Sequence, residues 1–227
     1  MKKFLLPLLC CLLGTSCMKE STFSMQNFND FATVYEGKLV ADNSLRLTVV
    51  ENESESEAWK NEGERFFIVC DILNRDLDIK LKSITKVNIT EALPYAEEEN
   101  EPDDPVEVFD HSISGGYINL ALKLFKDPAA NSAHPVSYYY TSNNNQDEFT
   151  FYVLHDGNHE NPLYMDEKKL ESQEVFFSIP LWNLLKKNTP TALKLCLYQL
   201  GKAEDGSYKV EKKRLMRKSM CLGVDIL

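Results

Sequence analysis

Along most of this chain, apolar and polar residues alternate with a period of two. In SLRLTVV (residues 44–50), Leu45, Leu47 and Val49 fall on one side of an extended chain, as a half-buried strand requires. FATVYEGKLV (31–40) reads as a strand, a turn at Gly37 and the start of a second strand. RFFIVCDIL (65–73) is a continuous apolar run and predicts a buried strand, closed by a turn at Asn74-Arg75-Asp76. LDIKLKSITKVNIT (77–90) places Leu77, Ile79 and Leu81 on one face, then slips near Ser83 so that Ile84, Val87 and Ile89 can pack. A β-bulge accounts for such a slip. Five or so strands in roughly 65 residues suit a small closed or partly open barrel.

The second half repeats the pattern in longer elements. VEVFDHSIS leads into the Gly115-Gly116 turn, and YINLALKLF, PVSYYYTS, EFTFYVLH, EVFFSIP, TALKLCLYQLG and YKVEKKRLMRKSMCLGV follow as strands. The expectation is a short helix after Pro180, capped by Ser178, and a two-sheet β-sandwich. Between the halves, AEEENEPDDP (96–105) holds six carboxylates and two prolines, which no packed strand tolerates, and reads as an acidic linker. The predicted fold is therefore all-β, a barrel over 30–95 followed by a sandwich over 106–227.

The first residues break this pattern. Lys2 and Lys3 precede an apolar stretch, Phe4 to Leu13, that is too short to span a bilayer, and small residues follow at Gly14, Thr15 and Ser16. This reads as a signal peptide over 1–16. GTSC resembles the lipobox of bacterial lipoproteins, which implies a diacylated Cys17 as the mature N-terminus, followed by a lipidated tether over 17–29. The usual leucine three residues before the cysteine is replaced by Gly14. Several acyl chains, at about 0.8 kcal/mol per buried methylene, make such attachment durable.

Charge and cysteine content narrow the function classes. The net charge is −10, and loss of Lys2 and Lys3 with the leader makes it more negative still. That argues against nucleic acid, whose binding depends on cationic contacts. Cys70 and Cys196 sit inside predicted strands and behave as small hydrophobes, with no CxxC or other ligand spacing nearby.

ISGGYINLALKL, followed by a histidine and the strand HPVSYYY, resembles the NigD-like lipoproteins of Bacteroidetes. Their pattern W-I-x-G-G-Y-L-N-I corresponds to Ser112, Ile113, Ser114, Gly115, Gly116, Tyr117, Ile118, Asn119 and Leu120, with serine where tryptophan is usual. FATVY and GERFFIVCDIL match the first domain in placement, whereas the segment between Tyr35 and Leu45 departs from the family's aspartate-glycine turn. The resemblance implies an OB-like N-terminal barrel, a C-terminal β-sandwich and a genomic association with bacteriocins.

Candidate chemistry is sparse. His155, Asp156, His159 and Glu160 in HDGNHE could supply metal ligands, but the glycine and asparagine make this a loop, where four-residue spacing fixes nothing, and it reads as a hairpin tip. SISGG lacks the nucleophile elbow. Tyr117 and Asn119 read as a core tyrosine and a turn-bonding asparagine. No metal or cofactor is expected, and the chain reads as a non-enzyme. Aromatics remain: Tyr138 and Tyr140 share one strand face with Tyr139 on the other, and Trp59 stands in a polar loop. Trp59, Tyr138 and Tyr140 are thus the candidate binding surface. Trp182 reads as docking the short helix.

The resulting expectation is a cell-envelope lipoprotein, held at the outer membrane on its periplasmic or surface face, that binds a protein or another envelope component. A carbohydrate-binding lipoprotein and a bacteriocin immunity-type protein are the alternatives. Finally, Lys209, Lys212, Lys213, Arg214, Arg217 and Lys218 concentrate cations in the last β segment, with Lys212, Arg214 and Lys218 on one side. They suit either protection of an edge strand or contact with an acidic partner.

Overall fold

The computed structural model describes residues 23–96, 102–130, 133–142, 148–182, 184 and 192–218. The expected all-β architecture is present. Strands β1 (Met25–Tyr35), β2 (Lys38–Ala41), β3 (Arg46–Asn52), β4 (Arg65–Ile72) and β5 (Asp78–Lys86) close a barrel in the order β1-β2-β3-β5-β4, with β3 and β5 parallel. The β1–β2 hairpin turns through Glu36 and Gly37, both at positive φ, which matches the strand twist. The slip anticipated near Ser83 is a register shift in which Val69 pairs with Ser83 and Cys70 with Leu81. The barrel interior is filled by Val34, Leu39, Leu47, Ile68, Ile79 and Leu81.

Two further sheets form the sandwich. One is a five-stranded sheet built from β7 (Leu93–Pro94), β10 (Val136–Ser142), β11 (Glu148–His155), β13 (Ala192–Lys202) and β14 (Tyr208–Lys218), in the order β14-β13-β11-β10-β7. The other joins β6 (Asn88–Ile89), β12 (Glu171–Pro180), β9 (Tyr117–Lys126) and β8 (Glu107–Ser114), in the order β6-β12-β9-β8. Leu120, Leu122 and Ile179 meet Phe151, Leu195 and Leu197 between them.

The barrel rests on the other side of the four-stranded sheet. Phe31, Val87, Ala121 and Phe176 form a separate cluster with Phe67, in which the Phe67 and Phe176 rings stack at 4.5 Å. The four-stranded sheet is thus the middle layer of three. This explains why Ile118 to Leu122 are all buried although they alternate between the two faces of β9.

Several expectations are corrected by this arrangement. Pairing changes over between Lys86 and Asn88, not within 96–105. β6 and β7 precede the acidic stretch yet already pair with β12 and β10 of the sandwich. Two-residue strands carry too weak a pattern to be read in advance. Residues 97–101 lie outside the described ones, but Asp104, Pro105 and Val106 are buried, and the Val106 amide donates to the Tyr198 carbonyl. The tether over 17–29 is shorter than expected, because β1 begins at Met25. Ser178 lies within β12, where its hydroxyl bonds Arg65 and Asn119, and the short helix expected after Pro180 falls mostly on 183 and 185–191, which lie outside the described residues. Ile89 is exposed. Finally, HDGNHE is not a hairpin tip but the start of the β11–β12 loop, since β11 is flanked by β10 and β13.

Candidate functional site at the barrel–sandwich junction

Arg65 opens β4 immediately before the apolar run, on the side of the strand that faces out of the barrel. It is 2% exposed, so its charge requires a partner on the spot. The β2–β3 turn supplies Asp42, whose two carboxylate oxygens accept from Nη1 at 2.9 Å and Nη2 at 2.6 Å. Nη1 also donates to Thr33 Oγ1, Nη2 to Asn119 Oδ1, and Nε to Ser178 Oγ. All five guanidinium N–H groups are thereby used, within the barrel and across to the sandwich.

The sandwich side answers with the GGYIN segment and its neighbours. Asn119, fully buried on β9, turns its Oδ1 towards Arg65 and Ser178 and its Nδ2 towards Asp42 Oδ2 at 2.8 Å. Ser114 Oγ adds a bond to the same carboxylate oxygen at 2.9 Å. The Tyr117 ring lies 4.0 Å beneath the guanidinium carbon, and Trp182 meets that ring edge-on at 4.7 Å. Gly115 sits at φ +58, and a Cβ there would overlap the Asp42 carboxylate. Gly115 is thus required by a close approach of two domains as well as by the turn, and Gly116, at φ +79, by the turn alone.

The junction also perturbs its surroundings. Asp30, half-buried on β1, is raised to about 6, first by burial and then by repulsion from Asp42. Burial is the main cause that raises the Tyr117 phenol.

A second polar cluster pins the β11–β12 loop. Asp104 accepts from the amides of Gly157 and His159, from His159 Nδ1 and from Asn161 Nδ2, each at 3.0 Å. Burial opposes ionisation of Asp104, but these donors together hold its carboxyl below the ordinary range. Glu160 is buried against His134 at 3.1 Å and the Asp127 amide at 2.7 Å. His155 is buried in the same region, and its basicity is lowered by burial and by nearby His134. Among the described residues, no group of three His, Cys, Asp or Glu side chains is placed to hold a metal ion.

The candidate surface of Trp59, Tyr138 and Tyr140 is not brought together. Trp59 is half-buried against the barrel core with the Lys60 ammonium 5.2 Å from its ring centroid, so packing takes up the indole. Tyr138 is 4% exposed in the sandwich core, and Tyr140 packs against the same core. Their shared face was read correctly; it is the inner one. Cys17 lies outside the described residues. Cys70 and Cys196 are free and buried, and burial lifts the Cys70 thiol to about 11. Sequence reasoning missed Asp42 and Arg65, and it gave Asn119 and Ser178 other roles, a turn bond and a helix cap, where the structure bonds them to each other and to Arg65. The available signals were a charge at the head of a buried strand and an asparagine amid apolar neighbours.

The comparisons agree with this architecture. The family described as NigD-like C-terminal beta sandwich domain matches residues 87–211. A NigD-like immunity protein from Bacteroides caccae superposes with a TM-score of 0.58 at 16% identity, covering 86% of this chain and 98% of that one. A protein of unknown function from Bacteroides vulgatus gives 0.58 at 17%, covering 90% and 95%. A candidate lipoprotein from Bacteroides fragilis gives 0.55 at 11%, covering 85% and 98%. Among curated proteins, none matches the sequence.

Proposed function

This chain belongs to the NigD-like family, and on that premise we propose that it is a non-enzymatic, lipid-anchored module of the cell envelope that binds another protein. The observation that carries this reading is the junction. The buried polar site there is satisfied internally, with every Arg65 N–H used, three within the barrel on Thr33 and Asp42 and two across to the sandwich on Ser178 and Asn119. Such a site orients two domains and presents their outer surfaces, and the Arg65 guanidinium keeps no N–H for a substrate. The leader ending in GTSC supports anchorage through Cys17.

Immunity towards a bacteriocin is a special case of this reading, and a structural neighbour from Bacteroides caccae is called an immunity protein. Of the two tryptophans that would serve the carbohydrate alternative as platforms, Trp59 packs half-buried against the barrel core, whereas Trp182 is 49% exposed and meets Tyr117 edge-on.

Two experiments test the proposal. Replacing Cys17 with Ser should release the protein from membranes on fractionation, and undiminished attachment would overturn the anchor. Chemical cross-linking of intact cells, followed by purification of the anchored chain, should give a discrete protein adduct. Retention of the purified chain on glycans, without any such adduct, would favour the carbohydrate reading instead.

A further inference from the structure

We propose that the barrel end formed by Phe23, Met25 and the β4–β5 turn lies against the phospholipid surface to which the chain is anchored, with the sandwich held away from it. This rests on the reading of Cys17 as the lipidated residue, and it adds the face that meets the membrane.

The topology singles out this end. β1 runs antiparallel to β4, so that Thr33 pairs with Arg65 and Met25 with Ile72. Arg65 belongs to the junction with the sandwich, and Ile72 lies seven residues further along β4, a strand length of about 23 Å. The start of β1 and the turn from Leu73 to Leu77 therefore share the barrel end remote from the junction. Phe23 is 43% and Met25 44% exposed there, and Leu73 and Leu77 in the turn are half-buried. Outward positions of an antiparallel strand that meets only water are normally polar.

Chain length and charge select the occupant. Phe23 follows Cys17 by six residues, which even fully extended span only about 20–22 Å. A link this short holds the barrel end at high effective concentration beside the bilayer, so a small apolar area suffices for contact. The junction end lies a further strand length away. The charges of the β4–β5 hairpin are matched in sign, although the whole chain carries −10. Asp71 pairs with Lys82 at 2.6 Å, Lys80 with Glu53 at 2.6 Å, and Arg75 is followed by Asp76. This end therefore meets a zwitterionic headgroup layer without the repulsion that the acidic remainder would suffer at an anionic one. Phe23 and Met25 enter the boundary between headgroups and acyl chains, and the charged tips stay among the headgroups.

The test uses the lipidated chain reconstituted in vesicles of phosphatidylcholine and phosphatidylethanolamine, with attachment established by flotation. The two native tryptophans are internal controls. Trp182 meets Tyr117 beneath Arg65 at the junction, and Trp59 lies in the segment that leads into Arg65. Phe23→Trp adds a third at the proposed contact. Phospholipids brominated in the upper acyl chain should quench the emission added by Phe23→Trp by about twofold or more and leave that of the parent unchanged. Amide hydrogen exchange over 72–78 should slow by about threefold or more on vesicles relative to the soluble Cys17→Ser chain. The protection should vanish in Phe23→Ser/Met25→Ser while flotation persists, and Phe23→Ser alone serves if the double variant loses its native spectrum. Unquenched emission from floated Phe23→Trp, quenching of the parent's tryptophans, or protection unaltered in the serine variants would each overturn the proposal and leave the anchor reading intact. So would protection of 72–78 that rises with concentration in the soluble chain, because a second copy would then cover this end. A parent chain that fails to float would overturn both.

Discussion

At the scale of the residue, the junction joins an ion pair to close shape complementarity. Breaking a buried pair from one side strands the other charge, at a cost of about 3–5 kcal/mol. Asp42→Ala should therefore lower stability by about that amount in urea unfolding, because it leaves Arg65 without its bidentate acceptor. A loss below about 1 kcal/mol would mean that water reaches the guanidinium in place of Asp42. Asp30 gives a second prediction, on pH. Its folded pKa, about 6, lies above its ordinary value of 3.8, so the ionised form is disfavoured in the native state. Asp30 therefore weakens folding above pH 6, and this penalty fades as the pH falls from 6 towards 3.8. Asp30→Asn should stabilise the protein at pH 7 by about 1 kcal/mol, after allowing for solvent screening of a half-buried group. The gap from the parent should close near pH 4. His155 acts in the opposite sense, since a lowered basicity costs stability as pH falls below 6.5, and comparing variant with parent cancels that contribution. A gap that stays constant with pH would contradict the assignment to Asp30.

At the scale of the element, β9 carries the fold's organisation. Its outward residues, Tyr117, Asn119 and Ala121, face the barrel, while Ile118, Leu120 and Leu122 face the five-stranded sheet. Ala121 is fully buried in a cluster with Phe31 and Phe176. Ala121→Leu should cost about 1–3 kcal/mol by overpacking, while Leu at solvent-facing Val210 should cost less than about 0.5 kcal/mol. Thermal melts of the two variants check this, and equal melts would mean that the layers part readily at β9. The strands themselves were legible from alternation, including the slip beside Ser83, because period two is a local property. What β9 touches was not legible. Asn119 and Asp42 are 77 residues apart and Arg65 and Ser178 are 113 apart, so no window of sequence contains both partners. The GGYIN motif was visible as a motif, but its purpose depends on a carboxylate brought in by the other domain. Tyr138 and Tyr140 fell to the same limitation, for periodicity separates two faces of a strand and does not say which is covered.

At the scale of the whole molecule, the chain crosses between units in a way that couples them. It leaves the barrel after β5, lends β6 to the middle layer and β7 to the outer one, and only then runs through the acidic stretch to β8. Cutting the chain within 97–101 would therefore not separate barrel from sandwich. The N-terminal piece would keep β6 hydrogen-bonded to β12 and β7 to β10, along with the Arg65 network and the Phe67–Phe176 stack. Burying the phenylalanines of this junction contributes about 1.5–3 kcal/mol each, against a cost of only a few kcal/mol for holding two fragments together at micromolar concentration. A site for a specific protease inserted between Glu98 and Glu99 should thus yield fragments that co-elute on gel filtration and melt in one transition after cleavage. Independent domains would instead elute separately and melt in two steps, and that outcome would show that the junction positions the barrel without binding it. The single transition should split when Asp42→Ala is added to the cleaved protein, since the polar half of the junction is then lost while both cores remain intact.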